Sequence, residues 1–247
     1  MDWYKDWFNS KYYHILYGKR NEAEAEAMLS KICNLLDCKQ NEKALDLGCG
    51  KGRHSKYLAS LGLKVWGTDL SENSVECAKT FANDNLHFEV QDMRKVYKTN
   101  FFDYVFNLFT SFGYFENFSD NLETLKAVKT NLKTEGIFIQ DYLNAEIIKS
   151  NLKEYEEIEI DGILFKIRKK IITGEYEESE MIVKSINFTA DDMYFNFEEK
   201  VNLFTLSDFE AMYSMVDLDI LNVYGNYNFD QFNPENSERL ILISRPQ

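Results

Sequence analysis

The stretch ALDLGCGKGRHS, residues 44–55, decides how this chain is read. A short apolar run carries Asp46, and Gly48, Gly50 and Gly52 follow before a segment of helical pattern. A strand that turns sharply into a helix needs residues without a Cβ. They supply backbone freedom and let a ligand lie against the main chain. Such turns often hold a dinucleotide pyrophosphate at the helix N-terminus. Here, however, the spacing is G-x-G-x-G rather than G-x-G-x-x-G, and an acid stands inside the strand. One glycine would suit a plain tight turn; three after an acid-bearing strand point to a ligand.

Two further acids sit at the ends of apolar runs. KVWGTDLS, residues 64–71, places Asp69 21 positions beyond Gly48. That is close to the spacing of a carboxylate that accepts hydrogen bonds from ribose hydroxyls. A helix cap or surface acid is the plain alternative. VQDMRK, residues 90–95, closes the next run with Asp92. A carboxylate there can accept from an exocyclic amino group while the Met93 N–H donates to a ring nitrogen, an adenine reader in outline. A turn-forming Asp would look the same in isolation.

The chain has 247 residues, 45% of them apolar, which suits one α/β domain with a substantial insertion and needs no staple. The net charge of −13 disfavours nucleic acid and anionic lipid as partners. Cys33, Cys38, Cys49 and Cys77 form no C-x-x-C pair and find no metal-like partnering with the three histidines. No metal site is expected, and the cysteines read as reduced thiols of a cytoplasmic protein. No run is long and apolar enough to span a membrane, and the aromatic, acid-bearing N-terminus is unlike a signal peptide.

Three segments emerge. Residues 1–36 form an N-terminal helical, aromatic segment. Trp3, Tyr4, Trp7, Phe8, Tyr12, Tyr13 and Tyr17 recur at three and four, as on one helix face, and Asn21 can cap a helix over 21–36. Residues 37–155 and 206–247 alternate strand and helix, which implies a parallel sheet covered on both faces. Ser71 and Ser207 are the expected caps of two of the helices. Residues 156–205 instead alternate by twos around Asp161-Gly162 and TADDM, an antiparallel β insertion.

LDLGCGKGRHS, GTDLS, QDM and NLKTEGIFIQDYL together resemble the ordered motifs of class I S-adenosylmethionine-dependent methyltransferases, over roughly residues 40–145. GKGRHS is similar to the small-molecule-type bacterial members. The resemblance implies a Rossmann-like, doubly wound seven-stranded sheet whose last strand is antiparallel. It implies S-adenosylmethionine as cofactor and S-adenosylhomocysteine as product. Asp46, Leu47, Gly48, Cys49 and Gly50 would then line the methionine end, Asp69 and Leu70 the ribose, and Asp92 and Met93 the adenine. Asn107 and Leu108 would pass near the sulfonium. Family members also close a flap over the cofactor. Here Tyr12, Tyr13, His14, Tyr17 and Arg20 are the flap's candidates, Arg20 as a fork on the methionine carboxylate. An amphipathic helix packing its aromatics on the core, with Arg20 solvated, is the equal alternative. For residues 156–205 the family similarity, with the hairpin signals, implies a lid or an oligomer surface.

On the acceptor side, TSFGYFENF, residues 110–118, follows the fourth strand, where ligands of such folds lie. Ser111, Phe112 and Tyr114 are expected to border the acceptor, with core packing the alternative for the phenylalanines. His14, Tyr13, Tyr114 and Asp141 are candidate bases, needed only for an acceptor that arrives protonated. The Asn/Asp-Pro-Pro-Tyr/Phe motif of nucleic acid amino-methylating enzymes is absent, since the fourth strand ends NLFT, residues 107–110. The expected partner is a small molecule, and the expected assembly a monomer or homodimer. A cofactor-binding protein without transferase activity and a nicotinamide-dependent oxidoreductase are the rival readings.

Overall fold

The computed structural model describes residues 3–18, 22–174 and 179–247. Arg20 and Asn21, and with them the expected carboxylate fork and helix cap, lie outside the described residues. The chain opens with three helices, α1 (Trp3–Phe8), α2 (Lys11–Tyr17) and α3 (Glu22–Leu35). The core then runs β1 (Lys43–Leu47), α4 (Arg53–Ser60), β2 (Lys64–Asp69), α5 (Glu72–Lys79), β3 (Leu86–Val90), β4 (Phe102–Asn107), α6 (Phe118–Asn131) and β5 (Leu132–Leu143). After α7 (Ala145–Ser150) come β6 (Tyr155–Ile160), β7 (Ile163–Thr173), β8 (Glu180–Ala190) and β9 (Met193–Asn202). The chain ends with α8 (Leu206–Met215), β10 (Leu218–Tyr224) and β11 (Arg239–Pro246).

Seven strands form one sheet in the order β10-β11-β5-β4-β1-β2-β3. The inner strands pair in parallel, while β11 runs antiparallel between β5 and β10. The expected doubly wound sheet with an antiparallel last strand is therefore present. Strand order reverses between β1 and β4, so a crevice opens at their carboxyl ends, directly above the glycine turn. Alternation along each strand feeds two cores. Leu45 and Phe138 face one cluster with Phe209 on α8, while their neighbours Ala44 and Ile139 face the other with Leu58 on α4.

The remaining strands form a second sheet, β6-β7-β8-β9, antiparallel throughout. Its first hairpin turns at Asp161-Gly162, both at positive φ as a two-residue turn of this hand demands. Ile182 and Val201 bury against the core of the main sheet, so the insertion is welded to the domain rather than tethered to it.

Two expectations are corrected. The N-terminal aromatics do not share one helix. Ser10 interrupts them, in extended conformation, and its hydroxyl accepts from the Tyr12 N–H at 3.2 Å to start α2 afresh. Trp7, Tyr12 and Leu16 bury against Phe165, Ile186 and Phe188 of the second sheet. Glu199 of β9 accepts from the Trp7 indole at 2.7 Å and the Tyr17 hydroxyl at 2.9 Å. Helix α8 is capped by Thr205, not Ser207: Thr205 and Asp208 exchange bonds in a reciprocal box.

Phe209 is fully buried among Phe112, Tyr142 and Phe204, with its ring 5.0 Å from that of Tyr142. Phe209→Ala should lower stability by about 3–5 kcal/mol. The check is a lowered urea midpoint at unchanged slope. A loss under about 1 kcal/mol would mean that the cluster closes over the gap.

Candidate functional site

The glycine turn that follows β1 is held open by backbone shape. Gly50 takes φ +54°, and a Cβ there would meet nothing within 4 Å. Gly52 takes φ +80°, and its Cβ would fall 2.6 Å from the Phe88 ring. One glycine thus leaves room on the ligand side, and the other lets α4 press onto β3. The turn is pinned to β2 from below. The N–H groups of Gly48 and Cys49 both donate to the Thr68 carbonyl, at 2.8 and 3.0 Å. Asp69, at the end of β2, accepts from the Gly50 N–H at 2.8 Å and from the Ser71 N–H at 2.8 Å. Ser71 in turn caps α5, as its sequence context led one to expect.

Above this turn lies a cleft of about 730 Å³, its mouth included. Leu47, Gly48, Gly50, Asp69, Leu70, Asp92 and Met93 line it, and so do Tyr13, Ser111 and Tyr114. The three motifs around Gly48, Asp69 and Asp92 therefore meet at one place. Asp46, Cys49, Asn107 and Leu108 do not belong to the lining; all four are buried. Alternation turns Asp46 toward α4, where it accepts from the Ser55 hydroxyl at 2.5 Å. Asn107 donates to the carbonyls of Leu47 at 2.9 Å and Ser111 at 3.0 Å, lashing the end of β4 to that of β1. Phe112 belongs to the core beside Phe209, so the packing alternative holds there.

Sequence reasoning missed part of the wall. Tyr4 and Phe8 of α1, Thr68, Ser74, Gln91 and Phe115 also line the cleft. Tyr4 and Phe8 are spaced by four in the aromatic N-terminus, the signal that could have found them. Phe8 meets Tyr13 and Tyr114 with ring centroids 5.0 and 5.1 Å away, and Tyr4 meets Phe115 at 5.7 Å. Asn9 fastens this cover to α5: its side-chain oxygen accepts from the Asn73 N–H at 3.0 Å, and its carbonyl from the Asn73 side chain at 2.8 Å. The buried Thr68 hydroxyl has no hydrogen-bond partner among the described residues.

The candidate bases separate by place. Tyr13 and Tyr114 line the cleft. His14 stands behind it, with Nε2 3.2 Å from the Ser74 hydroxyl. Burial, then nearby Lys51, pushes His14 down to about 4, so its imidazole is neutral at physiological pH. Asp141 is fully buried and away from the cleft lining. It forms an ion pair with Arg239 at 2.7 Å and accepts from the Phe109 N–H at 2.9 Å. Phe109 and Thr110 both take positive φ, and Asp141 with Arg239 holds that strained loop in place.

A family model described as "Methyltransferase domain" matches residues 38–193, more than half of the chain. The chain belongs to this methyltransferase family. YqeM of Bacillus subtilis, a methyltransferase by name, is 39% identical over 104 residues, 40% of this chain and 41% of its own length. The ubiquinone biosynthesis O-methyltransferase of Haemophilus ducreyi is 30% identical over 109 residues, 42% of this chain and 46% of its own length. The chain thus spans less than half the length of these curated relatives in each match. Among solved structures, an S-adenosylmethionine-dependent methyltransferase from Clostridium acetobutylicum superposes with a TM-score of 0.74 at 19% identity, over 95% of this chain and 96% of the other. The CcbJ methyltransferase of Streptomyces caelestis gives 0.77 at 14% identity, over 98% of each chain. At that identity these two establish the shared fold.

In this member of the family the acid under the glycine turn carries an electrostatic burden. Burial, and behind it the charge of Asp69, outweighs the Ser55 hydrogen bond and pushes Asp46 from 3.8 up to about 6. Between about pH 4 and pH 6 the folded chain keeps a proton there that the unfolded chain has released. Asp46 therefore makes the fold less stable as pH rises through that window, by on the order of 3 kcal/mol in full above it. Asp46→Asn should remove this dependence. Urea denaturation at about pH 4 and pH 7 should show the variant gaining on its parent by an amount of that order. A difference that stays flat with pH would show that Asp46 ionises as readily folded as unfolded.

Proposed function

We propose that this methyltransferase binds S-adenosylmethionine in the cleft and passes its methyl group to a small-molecule acceptor. The observation that carries this reading is the charge at the glycine turn. Among the described residues Asp46 and Asp69 stand there with no Lys or Arg in ion-pair contact, only the more distant charge of Arg53 acting on Asp46. A pyrophosphate on this turn would face two carboxylates, whereas a ligand with an ammonium and a sulfonium is attracted by them. The residues present fit such a group: Gly50 leaves its Cβ direction empty, and the Thr68 hydroxyl offers an unused polar atom in the wall.

When bound, S-adenosylmethionine supplies a methyl carbon activated by positive sulfur. The chain's own part is then mostly alignment and exclusion of water. Asp69 is a carboxylate at the end of β2 that lines the cleft, an acceptor suited to ribose hydroxyls. Tyr4, Phe8 and Tyr13 cover the cleft with ring faces and edges, which keeps water out and steadies a cation by about 0.5–2 kcal/mol. Ser111 and Tyr114 stand on the acceptor side. Their hydroxyls donate to the Leu108 and Thr110 carbonyls, and the Ser111 oxygen can accept a hydrogen bond from an acceptor's N–H or O–H. Tyr13 and Tyr114 can touch an acceptor directly, and His14 only through Ser74.

The reading makes residues 37–155 and 206–247 the catalytic core, with 1–36 and 156–205 as its cover. No cation lines the cleft among the described residues, so a neutral or cationic acceptor fits it better than an anionic one. The same charge argument, with a net charge of −13, sets nucleic acid aside. No helix among the described residues is long and apolar enough to cross a membrane. A cytoplasmic monomer or homodimer completes the proposal.

Thermal unfolding tests the cofactor. S-adenosylhomocysteine at about 100 times its Kd should stabilise the fold by about 2.7 kcal/mol, a rise of roughly 5 °C or more, while NAD should not. Asp69→Asn should weaken S-adenosylhomocysteine at least about tenfold by calorimetry. A shift with NAD and none with S-adenosylhomocysteine would overturn the reading. Methyl transfer from labelled cofactor into fractionated cell extract then finds the acceptor.

A further inference from the structure

Asp92 does not stand free at its end of the cleft. Its Oδ1 accepts from the Arg94 main-chain N–H at 3.0 Å and from Arg94 Nε at 3.0 Å. Its Oδ2 accepts from Arg94 Nη2 at 2.6 Å, with Nε a weaker second contact at 3.2 Å. An ionised carboxylate offers about four acceptor positions. Oδ1 has used both of its own. Oδ2 has one close donor and keeps one position.

Arg94 is itself held on several sides. Nη1 donates to Asp120 in the first turn of α6 at 3.0 Å. The guanidinium lies 4.6 Å from the centre of the Phe115 ring, and Phe115 also lines the cleft. A planar fork fixed in this way cannot swing, so neither can the carboxylate it grips.

We propose that Arg94 is a positioning residue that makes the cleft selective for an adenine amino group, by leaving Asp92 a single free acceptor, on Oδ2. The inference rests on the cofactor reading above. An acceptor with no proton to give welcomes an N–H and repels a carbonyl oxygen in the same place. A site built to hydrogen-bond one group rejects the analogue that lacks it. Burial alone would raise Asp92, but the Arg94 hydrogen bonds and charge hold it below the usual carboxylate range. Asp92 therefore stays ionised and acceptor-only. Without the fork, the half-buried carboxylate is free to turn and to take up a proton, and it can then serve a carbonyl as a donor.

The experiment compares S-adenosylhomocysteine with S-inosylhomocysteine, in which a carbonyl oxygen replaces the amino group. Calorimetry is run on the parent chain, Arg94→Met and Arg94→Lys, with the melting curve of each unliganded variant as a folding control. The parent should prefer the adenine ligand by about tenfold or more. Arg94→Met should bring that ratio close to one, and Arg94→Lys, which keeps the charge but not the fork, should leave it in between. If Arg94→Met weakens both ligands equally and keeps the ratio, Arg94 is only structural and the proposal falls. It falls too if the parent does not discriminate, an outcome that leaves the cofactor reading standing. If the parent binds neither ligand, the cofactor reading itself fails and takes this one with it. Should Arg94→Met not fold, Arg94→Lys decides: a narrowed ratio supports the proposal and an unchanged ratio overturns it.

Discussion

Asp69 accepts from two backbone N–H groups, that of Gly50 in the glycine turn and that of Ser71 at the start of α5, each at 2.8 Å. This bidentate grip joins the ends of β1 and β2 before any ligand arrives. It makes Gly50 face the cleft at positive φ, and it sets Ser71 where its hydroxyl can cap α5. Asn9 of the aromatic cover then docks on that same cap: Ser71 Oγ donates to it at 3.1 Å. Turn, helix and cover thus share one carboxylate. Burial raises Asp69 while its backbone donors oppose the rise, so the grip works against the cost of keeping a charge there.

The cover consists of two parts far apart in sequence. Helices α1 and α2 offer apolar faces too short to be stable alone. They are stabilised by burial on the second sheet, through Trp7, Tyr12 and Leu16. The insertion therefore reaches the cleft indirectly, by carrying the segment that closes it. Glu199 completes the join, since one carboxylate serves Trp7, Tyr17 and Lys184. A buried acid shared by three donors fixes the angle of the cover more than it adds stability.

What could be read in the sequence was local. Gly48, Asp69 and Asp92 close three successive strands of a regular β-α-β run, so spacing alone places them at one sheet edge. The antiparallel insertion showed itself by period two and by Asp161-Gly162. What escaped was decided by neighbours distant in sequence or by single competing bonds. Asp141 looks like a free acid at a strand end, but Arg239 meets it from β11, 98 positions on. Phe112 looks like a cleft residue, but Phe204 and Phe209 enclose it. Ser10 breaks an otherwise helical aromatic pattern because its hydroxyl competes for a backbone N–H. Nothing in QDMRK tells whether Arg94 turns to solvent or back onto Asp92.

Asp69 and Asp92 of the cleft and Asp46, buried beneath its glycine turn, reach three different balances. Asp46 is buried with the Ser55 hydroxyl and N–H and the more distant charge of Arg53 for support, and Asp69 has backbone dipoles. Asp92 is matched by a full guanidinium charge, with Asp120 beyond it. Among the described residues, Asp92 is thus held in an ion pair, while Asp46 and Asp69 are not. For the proposed cofactor the consequence is directional. Its ammonium and sulfonium gain at the turn, while its neutral adenine loses nothing beside the Asp92–Arg94 pair. Turned end for end, it would set its cations beside Arg94 and leave Asp46 and Asp69 unanswered. For the proposed cofactor, shape would admit it to the cleft, and the uneven neutralisation of three similar side chains would favour one way round.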